Sequence, residues 1–198
     1  IDIEKKIFLD AVRLFLSSYK PKNKWPYIKI KSENNSKFWK SLISRDKNSL
    51  TNTRFFQSDA ENTKLPDSSV DIVFCSGMLH HLDLSYSFPE LRRILKPGGR
   101  LFAIEALDYN PLIKIYRTLT PDMRTDWEKA HILSLKDIKF ASRFFEVEKV
   151  KYWHPTEYIG VKIPALRPIF SFLDPYFEKI PLIQLMSWIF TFELKSNK

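Results

Sequence analysis

One stretch limits the fold more than any other: Thr53 to Leu107, TRFFQSDAENTKLPDSSVDIVFCSGMLHHLDLSYSFPELRRILKPGGRLFAIEAL. Phe55-Phe56 close a short apolar run that stops at Ser58-Asp59-Ala60-Glu61. Leu65-Pro66-Asp67-Ser68-Ser69 is turn chemistry, and Val70 to Cys75 is a nearly unbroken β-branched and aromatic run. A run apolar on both faces suits a parallel strand covered by helices on each side. Pro89 to Leu95 places Leu91, Ile94 and Leu95 on one helical face, and Pro97-Gly98-Gly99 stops that helix. Leu101 to Ala106 supplies the next strand. Strand and helix signals that alternate in this way predict an α/β layered fold with a parallel sheet.

Four pieces of the stretch carry a family resemblance. They are Ser58-Asp59-Ala60-Glu61, Leu65 through Asp71, Leu79-His80-His81-Leu82, and Leu91 through Gly99 followed by Arg100-Leu101. Their order and spacing resemble the second half of a class I S-adenosylmethionine-dependent methyltransferase domain, of the type that includes the ubiquinone/menaquinone-biosynthesis methyltransferases. Asn110 to Tyr152 extends the likeness through Asn110-Pro111-Leu112-Ile113, Tyr116-Arg117 and Leu119-Thr120-Pro121. The resemblance implies a Rossmann-like, doubly wound sheet, mostly parallel, with an antiparallel last strand.

The 198 residues suit one domain, 1–198, with an apolar helical insertion at about 155–187. Cys75 is the one cysteine, which excludes an internal disulfide and points to a reducing compartment. Inside an apolar strand it reads first as a buried structural thiol. No basic and apolar leader opens the sequence, so a cytoplasmic location is expected. Residues 1–56 hold 13 Lys/Arg against 5 Asp/Glu, so they carry most of the net charge of +9. A solvated basic face accounts for that surplus. Attraction to an anionic membrane, as a peripheral contact at its inner face, is the sharper alternative. No nucleic-acid motif accompanies the scattered lysines.

Before the core stretch, Ile3 to Tyr19 reads as an amphipathic helix, residues 20–26 as a basic linker and Tyr27 to Lys31 as a strand. Ser36 opens a helix carrying Phe38, Trp39, Leu42 and Ile43. This half departs from the family pattern. A glycine-rich turn should open the first helix and let backbone approach the cofactor. The four glycines are Gly77, Gly98, Gly99 and Gly160, so none precedes residue 77. The segment is also short by about 30 residues, one strand–helix unit. Either that unit is absent from the sequence, or the turn is truly lost and the cofactor site has decayed.

Beyond the core stretch, Leu112 to Leu119 forms a short apolar helix. Ser134-Leu135-Lys136-Asp137 makes a capping box for a helix with Leu135, Ile138, Ala141 and Phe145 inward. Glu146 to Trp153 and Trp188 to Leu194 are strands, the latter inserted antiparallel beside its predecessor. Ile163 to Phe192 is the most apolar region, yet prolines and charges cut it below the roughly 18 residues of a spanning helix. It reads as two short covering helices, or as a lid or interfacial surface.

The resemblance assigns roles to particular residues. Asp59 accepts the exocyclic amine of adenine, with Ala60 leaving room for the ring. Glu33 holds the ribose hydroxyls by analogy with nucleotide-binding folds. Cys75, Ser76 and Gly77 line the methionine end, and His80 lines the site beside them. A lone His pair lacks further ligands at metal spacing, so no metal is expected. No side chain stands out as the catalytic base. Glu105 reads as a helix-capping carboxylate ahead of a substrate contact. The implied activity moves the methyl of S-adenosylmethionine to a small-molecule or lipid-like acceptor. The competing reading is a non-catalytic module with a degraded cofactor site, holding an acidic partner or a membrane surface.

Overall fold

Val70–Ser76 forms strand β1 and Leu95–Ala106 forms β2, paired in parallel from Ile72 opposite Arg100 to Ser76 opposite Ile104. The computed structural model describes residues 58–119, 127, 131–153, 155–156 and 163–198. The expected helix before the basic linker, the Tyr27 strand, the Phe55 strand and Glu33 lie outside these residues.

Between β1 and β2 runs helix α1, Leu84–Ile94, five residues longer at its start than Pro89 suggests. Asp83 is the reason. Its side chain accepts the Ser85 amide at 2.8 Å and caps the helix ahead of the proline. Pro89 then lies inside the helix, and the carbonyl it leaves unpaired belongs to exposed Ser85, where water can satisfy it. Ser87, Phe88, Leu91 and Ile94 form the buried face of α1.

β2 also begins earlier than Leu101. Leu95 already pairs with Val70, and the register then jumps to Ile72 opposite Arg100, so Lys96 to Gly99 bulge out of the ladder. The bulge requires its glycines. Gly98 has φ +70°, and a Cβ on Gly99 would stand 2.9 Å from the Lys96 carbonyl and 3.0 Å from that of Asp71. Lys96 spans the bulge to Asp71 at 2.9 Å.

After β2 come α2, Pro111–Leu119; α3, Leu135–Ala141; β3, Phe145–Trp153; α4, Arg167–Phe177; and β4, Ile189–Ser196. The capping box at Ser134 and Asp137 is present, with Asp137 accepting the Ser134 amide at 2.7 Å. Ile138 and Ala141 are the buried residues of α3, and Leu135 is half-buried. Phe145 is buried too, but as the first residue of β3, because the helix ends four residues earlier. Among the described residues of the apolar insertion, α4 is flanked by single turns, Pro164–Leu166 and Gln184–Met186.

The sheet order is β1-β2-β4-β3. β4 runs antiparallel to both β2 and β3, so β1, β2 and β3 share one direction and the last strand opposes them. β4 alternates strictly, with Phe190, Phe192 and Leu194 buried on one face. Phe88 of α1 lies 6.1 Å from Phe145 at the start of β3 and 6.2 Å from Phe140 of α3, centroid to centroid, so it links α1 to both elements. Among the described residues, no helix is long and apolar enough to cross a membrane.

Candidate functional site

Parallel strands end on the same edge of a sheet, and here that edge carries the residues leaving β1 and β2. Ser76 is the last residue of β1, and the Gly77 amide bonds the Ile104 carbonyl of β2 at 2.9 Å. Gly77 has φ +55° with open space where a side chain would stand, so bare backbone is presented at this rim. Leu79–His81 then forms a single helical turn.

Glu105, the penultimate residue of β2, organises that turn. Its Oε1 accepts the amides of Met78 at 2.9 Å and Leu79 at 2.8 Å, and its Oε2 lies 2.7 Å from His80 Nδ1. Glu105 is 2% exposed, so these three neighbours rather than water satisfy its carboxyl oxygens. Capping is therefore what Glu105 does in the fold. Its contact with His80 was less legible, since only the meeting of two strand ends brings together residues 25 apart. His80 stacks loosely on His81 with centroids 4.1 Å apart.

The acidic turn sits close by. Asp59 is exposed and Ala60 is buried. One Asp59 oxygen, Oδ1, accepts the Glu61 amide at 2.9 Å, and Glu61 in turn accepts the Asp83 amide at 2.7 Å. The turn is thereby tied to the start of α1. Ala60, Cys75 and Met78 line one open apolar recess together with Phe74 and Leu91, so the structure brings the turn and the end of β1 to one place. Cys75 is one of the residues lining this recess. Its side chain is buried, and burial, with the Glu105 charge as a lesser cause, pushes the thiol well above its ordinary range. It is not a reactive group. Among the described residues no cluster of three or more His, Cys, Asp or Glu is arranged to hold a metal ion.

Two further buried polar side chains, an amide and a carboxyl, brace the surroundings. Asn110 is fully buried, accepting the Leu112 amide at 2.9 Å and donating to the Met186 carbonyl, and so fixes the start of α2. The Asn110-Pro111 pair is the signal that could have found it. Asp174, buried inside α4, accepts the Thr156 amide at 2.9 Å and its hydroxyl at 2.6 Å. In the sequence it reads only as an interruption of an apolar run.

Residues 29–103 match the family model described as a methyltransferase domain. A ubiquinone/menaquinone biosynthesis C-methyltransferase, UbiE, from Vibrio vulnificus is 35% identical over 75 residues, covering 36% of this chain and 29% of the relative. The matched segment thus spans less than a third of that relative's length. Among solved structures, the [4+2]-cyclase SpnF superposes with a TM-score of 0.59 at 16% identity, covering 94% of this chain and 69% of the cyclase. Geranyl diphosphate C-methyltransferase from Streptomyces coelicolor A3(2) gives 0.56 at 12% identity, covering 85% and 64%. The chain has the fold of the class I S-adenosylmethionine-dependent methyltransferases. Within it, residues 29–103 carry the methyltransferase-domain sequence pattern.

Proposed function

We propose that the protein transfers the methyl group of S-adenosylmethionine to a small-molecule acceptor at the β1–β2 rim. The observation that carries this reading is that Ala60 of the acidic turn, Cys75 of β1 and Met78 beyond it line one recess, within the segment that matches the methyltransferase domain. A cyclase with the same fold shows why fold alone does not choose the reaction. The sequence pattern favours methyl transfer.

The donor set fits the cofactor's chemistry. Asp59 is exposed and its second oxygen has no hydrogen bond among the described residues, so it can accept a purine amine. Gly77 leaves room for an amino-acid moiety to lie against backbone, with Ser76 beside it. When bound, S-adenosylmethionine supplies an electrophilic methyl carbon on a sulfonium. The chain's own task is to hold acceptor and methyl in line, which accounts for a large part of such rate enhancements. Glu33 is kept as the candidate ribose ligand. The sequence has no glycine before residue 77, where the family's glycine-rich turn is expected.

A lipid-like acceptor is the finer form of the proposal. Leu112, Ile115 and Leu119 of α2 are exposed at spacings of three and four, as are Ile169, Phe172 and Tyr176 of α4. Such faces support contact with an apolar acceptor or with the inner face of an anionic membrane. The Vibrio relative is named for quinone biosynthesis, which agrees with an acceptor of that kind.

Titration calorimetry of the full chain with S-adenosylhomocysteine tests the proposal. Saturable binding in the micromolar range is expected. Absence of binding at millimolar ligand would leave a module that has lost its cofactor.

A further inference from the structure

The rim holds a side-chain pair, His80 and Glu105. Glu105 is buried at the end of β2, where its Oε1 accepts two backbone amides and its Oε2 lies 2.7 Å from His80 Nδ1. An ionised carboxylate only accepts, so the proton between them sits on His80 Nδ1. A neutral imidazole carries one N–H, which leaves Nε2 as a bare lone pair on the ring edge away from Glu105. Nε2 has no hydrogen-bond partner among the described residues, and the His80 side chain is 21% exposed. The ring therefore combines a fixed tautomer with an accessible acceptor nitrogen, three residues past the open Gly77 backbone.

Capping alone does not require this. The Met78 and Leu79 amides are satisfied by Oε1, and a histidine is not needed for that. A buried carboxylate that orients an imidazole through Nδ1–H is the arrangement by which a general base is held in its working tautomer.

We propose that His80 Nε2 is the proton acceptor for the methyl-accepting group and that Glu105 is its positioning residue. The inference rests on the methyl-transfer reading. As the acceptor's oxygen, nitrogen or carbon forms its bond to the methyl carbon, His80 Nε2 takes the proton that atom loses. The pair from the broken carbon–sulfur bond stays on sulfur, and the imidazolium, stabilised by Glu105, returns its proton to solvent.

Glu105→Gln is the informative variant. The glutamine carbonyl can keep both backbone amides, while its NH2 now faces Nδ1 and forces the proton onto Nε2. The test records two- and three-bond proton–nitrogen correlations of His80 in the full chain with labelled imidazoles, assigned with His80→Gln. The expected result is Nδ1–H in the wild type and Nε2–H in Glu105→Gln, with S-adenosylhomocysteine affinity within about twofold. An Nε2–H tautomer in the wild type overturns the proposal, and so does a Glu105→Gln variant whose tautomer does not change. In a second readout, methyl transfer from labelled S-adenosylmethionine to a prenylated hydroquinone, either variant should lower kcat on the order of 100-fold with KM for the cofactor unchanged. Transfer by both variants at the wild-type rate would also overturn it. Failure of the methyl-transfer reading itself registers separately, as absence of S-adenosylhomocysteine binding to the wild type.

Discussion

Glu90 shows how much a single carboxylate can organise. Its Oε1 accepts the Thr63 amide at 2.8 Å and hydroxyl at 2.5 Å, and Arg93 donates to Oε2 at 2.7 Å while also reaching Asp67. Arg93 first, then the Thr63 bonds, hold its carboxyl down at about 2, against an ordinary value of 4.5. A carboxyl depressed in the folded state stabilises the fold above its unfolded pKa, and that contribution is lost as pH falls toward the folded value. Stability should therefore decline between roughly pH 4.5 and 2 through this residue. Glu90→Gln is expected to cost about 1–3 kcal/mol at neutral pH and to flatten that part of the acid limb. Urea unfolding midpoints at pH 7 and pH 3 check it: an equal loss at both would mean the charge contributes nothing. The Glu90–Arg93 pair has a local i,i+3 spacing on α1, but nothing in the sequence points to Thr63, 27 residues away.

At the level of elements, the Lys96–Gly99 bulge aligns the ends of β1 and β2, and Gly99 is its tightest point. A methyl there meets two carbonyl oxygens of the backbone, which cannot rotate aside. Gly99→Ala should destabilise the fold by about 1–3 kcal/mol, read as a lowered urea midpoint with unchanged slope. An unchanged midpoint would show that the bulge yields easily. The elements were mostly legible in the sequence, because they rest on local signals. The apolar run of β1 and the Ser134–Asp137 box both formed where the residues predict them. Misreadings fell where a distant or competing local contact decides. Pro89 reads as a helix start, but Asp83 caps the chain five residues sooner than the helix expected from it. Pro97-Gly98-Gly99 reads as a break, yet Leu95 already pairs with Val70.

For the molecule as a whole, β4 between β2 and β3 closes the sheet in the way the family resemblance implies. The candidate site is less fully legible. Asp59, Ala60, Cys75, Ser76 and Gly77 follow from strand ends, whereas the His80–Glu105 pair depends on which ends become neighbours. The apolar faces of α2 and α4 carry the membrane part of the proposal. Ile115→Asp and Phe172→Asp together should reduce co-sedimentation with phosphatidylglycerol vesicles several-fold while leaving S-adenosylhomocysteine affinity unchanged. Equal recovery of variant and wild type would remove these faces from membrane contact. The central claim, that the β1–β2 rim is the cofactor site, is tested most directly by S-adenosylhomocysteine calorimetry on the wild type and Asp59→Ala. Loss of the adenine acceptor predicts affinity weakened about tenfold or more, some 1.4 kcal/mol. Wild-type binding with an unchanged constant in Asp59→Ala would contradict the assignment of this rim.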